Sequence, residues 1–259
     1  MARLKLSKFS LVLILVILAA AGGALAYIRG LEHSSQLAAS LPLSAAGPAP
    51  ARSSPTPAVT QAVTPAVFAL KVPFTPQAPT ANWDQLHNEA CEEAVAIMAN
   101  AYFSGNNAAT LPPDYVEQQL GALTVWEQQN LGRNLDTTSA ETARMISAVY
   151  GLKTEVIKDF AAADLQRELL AGHLVLISED GRLLGNPNYR QPGPVHHMLL
   201  LRGYTPEGFV TNDSGTRKGE NYFYTFDAIK NAAADWNTAA NTVDQTQKLA
   251  IIVSAPDRP

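Results

Sequence analysis

Apolar residues recur at helical spacing between Asn88 and Phe103, at Cys91, Ala94, Val95, Met98, Ala101 and Tyr102. With Asn88 as its cap, this pattern predicts a helix from Glu89 to about Phe103, ended by Ser104-Gly105. Pro112-Pro113 opens a second helix carrying Tyr115, Val116 and Leu120. Thr138-Ser139-Ala140-Glu141 fits a capping box and starts a third, which runs to Gly151. A short strand around Thr154 to Ile157 and a helix from about Ala162 to Ala171 follow, and Leu174 to Ser178 reads as an apolar core strand. The period then changes. Four short runs, His197 to Gly203, Gly208 to Asn212, Asn221 to Tyr224 and Leu249 to Ser254, are joined by tight turns and predict an antiparallel sheet. Helices first and a sheet afterwards imply an α+β domain.

The first quarter of the chain follows neither period. Arg3, Lys5 and Lys8 precede an uncharged apolar stretch from Phe9 to Ile28. About 20 apolar residues span a bilayer as a helix, and the basic flank stays in the cytoplasm. Residues 1–30 are therefore expected to be a transmembrane anchor with the rest of the chain outside. The alternative is a cleaved signal peptide, for which Ala24-Leu25-Ala26 is an A-x-A match. Both place the domain on the same side, as a single-pass membrane protein or a secreted one. Residues 31–66 are rich in Ala, Pro, Ser and Thr, the part from Ser44 to Pro65 holds almost no large apolar side chain, and the segment reads as a flexible linker. The folded domain is then 67–259.

Charge adds an exclusion. The chain carries 23 acidic and 19 basic residues, and the basic ones are scattered. There is no Lys/Arg cluster to bind nucleic acid. The single cysteine, Cys91, rules out an internal disulfide and is either a reactive group or a buried small hydrophobe. It falls in the first turn of its predicted helix, where unpaired backbone N–H groups and the helix dipole favour a thiolate, the nucleophilic form. Glu92 and Glu93 follow it. Acids suit a helix start, with side chains pointing away, although two carboxylates near a thiol oppose its ionisation. His197 opens one apolar strand and Asp213 ends the next. If those strands pair as a hairpin, the two residues meet at one end of the sheet, where an Asp can hold an imidazole that activates a thiol. His196 precedes His197, and successive strand side chains face opposite ways, so only one of the two is expected to face Cys91. Strand parity does not decide which, since both faces are apolar.

The segments Val72-Pro-Phe-Thr-Pro-Gln77, Asn88-Glu-Ala-Cys91, His197-Met-Leu-Leu-Leu-Arg-Gly-Tyr204 and Asn212-Asp213 resemble the C39-like peptidases of the papain-like superfamily. The resemblance runs from Val72 to about Trp236. It implies a papain-like α+β fold, in which the helix carrying the cysteine packs on an antiparallel sheet carrying His and Asp. It also implies Cys91 as nucleophile, His197 as base, Asp213 as orienting group and Gln77 as an oxyanion-hole donor. The partner is then a peptide or protein substrate, and neither a metal nor an organic cofactor is required. The interval from Gln77 to Cys91 is longer than the family pattern and contains Trp83, read as a loop anchor in the core or a wall of the cleft, and His87, read as a loop residue. Two other functions fit the same residues: a transglutaminase-like or cell-wall amidase activity, and an inactive surface-tethered binding module.

Overall fold

The computed structural model describes residues 65–256. The expected anchor, cleavage site and nearly all of the linker lie outside these residues. Among the described residues, no helix is long and apolar enough to cross a membrane.

A short strand β1 (Phe68–Ala69) leads into four helices: α1 (Gln85–Asn88), α2 (Cys91–Phe103), α3 (Pro113–Asn130) and α4 (Ser139–Tyr150). Strand β2 (Lys153–Lys158), helix α5 (Ala162–Leu170) and strand β3 (Leu174–Glu179) follow. Next come β4 (His197–Tyr204), β5 (Gly208–Asn212), β6 (Tyr222–Thr225) and α6 (Phe226–Ala232). The hairpin of β7 (Asp235–Asn237) and β8 (Thr242–Asp244) precedes the last strand, β9 (Leu249–Ser254). The main sheet runs β2-β9-β3-β4-β5-β6, with β1 added beside β4, and every strand pairing in it is antiparallel. The domain is thus α+β, as its pattern predicts.

Burial explains which elements hold the site. Helix α2 is apolar on nearly all sides, and such a helix must lie inside. Its residues from Cys91 to Ala99 are all buried, packed against β4 and the helices α3 and α4. Strands β3 and β4 are buried along their whole length, their apolar runs Leu174–Ile177 and Met198–Leu201 carrying the buried polar residues Ser178, Glu179, His197 and Arg202 with them. The cysteine therefore sits where the start of a core helix meets the start of a central strand. Each fully buried Val, Ile or Met of that contact contributes roughly 1.5–3 kcal/mol.

Two local readings are corrected. Asn88 does not cap the cysteine helix: its side-chain amide donates to the Trp83 and Asp84 carbonyls at 3.1 and 2.7 Å. Ala90 takes the N-cap position without a side-chain hydrogen bond, so α2 begins at Cys91 itself. Asp84 instead caps α1, accepting from the His87 N–H at 3.1 Å. Second, Glu92 and Glu93 do not point away into solvent. Both are buried, because the α2 start is enclosed by α3 and the loop before α4.

Candidate active site

Cys91 occupies the first position of α2, where backbone N–H groups lack helical partners. No side chain caps them. His197 is the first residue of β4, and β5 runs antiparallel to it, with Leu200 opposite Asn212. That register brings Asp213, one residue past β5, to His197, whose Nε2–H donates to Asp213 Oδ1 at 2.9 Å. Gln77 lies on the segment before α1, tied to the β5 turn by its backbone N–H to the Ser214 carbonyl at 2.9 Å. Gln77, Cys91 and His197 line one cleft of about 820 Å³, and Asp213 lies buried beneath His197. The cleft's walls are the Trp83–Cys91 segment on one side and the Pro187–Pro194 and Gly215–Lys218 loops on the other.

Asp213 is a fully partnered carboxylate. Its Oδ2 accepts from the Tyr189 and Tyr224 hydroxyls, both at 2.6 Å, and from Asn186 Nδ2 at 2.9 Å. Its Oδ1 accepts from the Gly215 N–H at 3.0 Å as well as from His197. Burial alone would raise its pKa, but His197 and the two hydroxyls outweigh that and hold it below the usual aspartate value. Tyr189 also meets the His197 ring edge-on at 5.4 Å, fixing its plane. These partners were not foreseen: Asn186 and Tyr189 lie on an irregular loop with no periodic signal, and nothing in the sequence ties Tyr224 to the site.

The thiol is in a different state from the one its helix position suggests. Cys91 Sγ donates to Glu92 Oε2 at 2.9 Å, its sole hydrogen bond among the described residues. Burial, then the charges of Glu92 and Asp136, push the thiol pKa well up. Here desolvation and adjacent carboxylates prevail over the helix terminus. Glu92 itself is pushed up to about 7, chiefly by burial, with His196 opposing. Its other oxygen accepts from the Thr137 N–H at 2.7 Å. The resting cluster is thus a neutral thiol held by a carboxyl group.

His196 is the second departure. It does not turn away from the cysteine: it lines the same cleft, and a ring nitrogen, a Glu92 oxygen and Cys91 Sγ all lie within 4.8 Å of one another. Its position just before β4 frees it from strict strand alternation. Nδ1 faces Asp136 at 3.0 Å and Glu92 at 3.5 Å, while Nε2 bonds the Ser178 hydroxyl at 2.8 Å. Burial works to lower its pKa, but Glu92 and Asp136 prevail and raise it. Cys91, Glu92 and His196 form a mixed S/O/N set suited to a zinc-like divalent ion, which would have to displace the shared thiol proton.

Gln77 is held rather than free. Its amide nitrogen donates to the His87 and Asn88 carbonyls at 2.8 and 3.2 Å, so it braces the turn that enters α2. His87 is buried between Asp84 and Glu117, at 2.7 and 3.0 Å, and is a structural brace rather than a loose loop residue. Trp83, 42% exposed, walls the cleft and does not anchor the loop in the core.

The family follows from sequence. The model of the Peptidase_C39 like family matches residues 69–243, well over half of the chain. The chain belongs to that family. Its site segments, from Gln77 to Asp213, all fall inside the matched region, and C39-like membership supports a cysteine-peptidase type of function. No curated protein matches the chain. Among solved structures, a Bacillus anthracis protein described as a C39-like peptidase is similar over 72% of this chain and 96% of its own, at 14% identity and a TM-score of 0.46.

Proposed function

We propose that the domain hydrolyses peptide or amide bonds with Cys91 as nucleophile, and that residues 1–66 hold it outside the cytoplasmic membrane. The observation that carries the catalytic reading is the convergence of the α2 start, His197 backed by Asp213, and Gln77 on one cleft. In the proposed reaction the thiol leaves Glu92 and gives its proton to His197 Nδ1, the ring nitrogen not bonded to Asp213. Sγ attacks the substrate carbonyl carbon, and the oxyanion is met by the Cys91 backbone N–H and a Gln77 amide hydrogen released from the longer of its two bonds. The imidazolium protonates the departing amine, leaving an acyl-enzyme thioester. Water, deprotonated by His197, then attacks the thioester and regenerates the thiol.

A second reading has its own support. His196, backed by Asp136, is the imidazole whose nitrogen lies within 4.8 Å of Sγ and Glu92, and it could take the base role instead. Hydrolysis of a quenched peptide library, run beside peptidoglycan fragments, tests the activity and separates peptidase from cell-wall amidase. Cys91→Ala is expected to abolish turnover while the melting temperature holds, and Gln77→Ala to lower kcat by roughly a hundredfold. Turnover retained in Cys91→Ala would refute the cysteine mechanism. Labelling of the wild-type thiol by an electrophilic probe separates an enzyme from an inactive binding module.

A further inference from the structure

Charge is distributed unevenly around the cleft. The chain as a whole is acidic, with a formal net charge of -4. Yet the residues lining the cleft include Arg190, Arg217 and Lys218 and not one aspartate or glutamate. All three cations are exposed, and among the described residues none has an ion pair or a side-chain hydrogen bond. They are not spread around the rim. Arg190 stands on one loop of the far wall and Arg217 and Lys218 on the other, while the near wall carries Trp83 and Asn88. Glu92 and Asp136, at the thiol, are hydrogen-bonded to Cys91 and His196, and the exposed Glu220, two residues past Lys218, does not line the cleft.

Two of the cations are presented by a fixed turn. The Gly219 N–H donates to the Thr216 carbonyl at 3.2 Å and the Gly219 carbonyl accepts from the Asp213 N–H at 3.0 Å. The Lys218 N–H donates to Thr216 Oγ1 at 3.2 Å. The turn is thereby locked to the same Asp213 that holds His197, and its two long side chains line the same cleft as that imidazole. Unpaired cations on one wall of a cleft with low-dielectric surroundings raise the local concentration of anionic ligands and orient them.

We infer that the cleft selects acidic peptide segments, with substrate Asp or Glu side chains laid along the Arg190, Arg217 and Lys218 wall and an apolar residue against Trp83. This builds on the cleft being the substrate site, so the test reads binding rather than turnover. Full-length Cys91→Ala protein is titrated with three fluorescent peptides that are identical except for paired Glu, Gln or Lys residues. The Glu peptide is expected to bind at least about tenfold tighter than the Gln peptide at low ionic strength, with the Lys peptide weakest. That advantage should collapse in about 0.5 M salt, where the screening length falls to a few ångströms. In Arg217→Glu/Lys218→Glu, two exposed positions whose exchange leaves the core untouched, the order of Glu and Lys peptides should invert. Equal affinity for Glu and Gln peptides, an order unchanged by the charge reversal, or no binding of the Glu peptide overturns the inference. Tighter binding of a dT oligomer than of the Glu peptide also overturns it, in favour of a nucleic-acid surface. If the Glu preference holds while the wild-type protein cleaves nothing, it is the peptidase reading that fails.

Discussion

His196 and His197 both line the cleft that holds Cys91, and the difference between them is what each is bound to. His197 gives Nε2 to a carboxylate with five donors, so its ring is fixed and its Nδ1 is left for chemistry. His196 has both nitrogens engaged, by Ser178 and by Asp136, and shares Glu92 with the thiol. With both nitrogens taken, it is expected to keep the Glu92 carboxyl group in place rather than to serve as the base. His197→Ala is expected to abolish hydrolysis, lowering kcat by roughly a thousandfold or more. His196→Ala is expected to keep most turnover but to change how the thiol ionises. Loss of the His196 positive charge leaves Glu92 unbalanced, which favours its neutral form and relieves the charge that opposes thiolate formation. Thiol alkylation measured against pH in both variants, alongside turnover, checks this. If His196→Ala is the dead variant and His197→Ala retains its rate, the base is His196 with Asp136.

At the scale of elements, residues with a local signature were legible and those defined by distant contacts were not. Strands β5 and β9 end where the sequence places them, because turn residues flank short apolar runs. The Thr138 capping box is present with both of its hydrogen bonds, and Gly151 closes α4 in the left-handed region at φ 68°. Cys91, His197 and Asp213 stand out as a helix start, a strand start and the residue after a strand, which are local features, whereas Gln77 is marked only by the family resemblance. The start of α2 was misplaced because Asn88 looks like a cap, and only the fold shows that its amide is committed to the turn before it. Helix α6 and the β7–β8 hairpin escaped notice, being too short for a period to register. The Glu92 contact was missed because burial reverses the ordinary reading of an acid in a first turn. The turn after β5 offers a direct test of how closely these elements are fitted. A Cβ on Gly215 would lie 2.9 Å from His197 Cε1 and 3.0 Å from Tyr189 Cε1, so Gly215→Ala must displace the imidazole or its aromatic wall. Turnover is expected to fall by roughly tenfold or more with KM little changed, since misplacing a catalytic group by even a fraction of an ångström is costly. A melting temperature close to wild type alongside that loss would locate the effect in the ring, whereas unchanged kcat would show the ring has room to spare.

For the whole molecule, buried carboxyl groups set an unusual response to pH. Glu93 and Glu127 are both buried at the α2–α3 contact, and neither Glu127 oxygen has a hydrogen-bond partner among the described residues. Burial, reinforced by the Glu127 charge, pushes Glu93 well above the ordinary glutamate value, and burial pushes Glu127 up to about 7. Glu179, buried beneath the site, is raised for the same reason, with the Asp213 charge adding to it. A group whose folded pKa is raised gives stability that is complete below its unfolded pKa and is lost as pH rises through the folded value. For Glu127 the decline therefore runs from about pH 4.5 to about 7. Asp213 has the opposite sign: its folded pKa is depressed, so its contribution is present above about pH 3.8 and disappears as pH falls further. The two tendencies cross in mildly acidic solution, and the protein should be most stable near pH 4–5 rather than at neutrality. Glu127→Gln removes one titrating member of the pair while keeping its shape and leaving an amide to donate to Glu93. It is expected to match wild type near pH 4.5 and to exceed it by on the order of 1–3 kcal/mol at pH 8. Urea unfolding of both proteins at a series of pH values measures the two slopes. A wild-type stability that climbs from pH 5 to 8, or a Glu127→Gln curve parallel to wild type throughout, would show that the pair is ionised at little cost and that the core tolerates its charge.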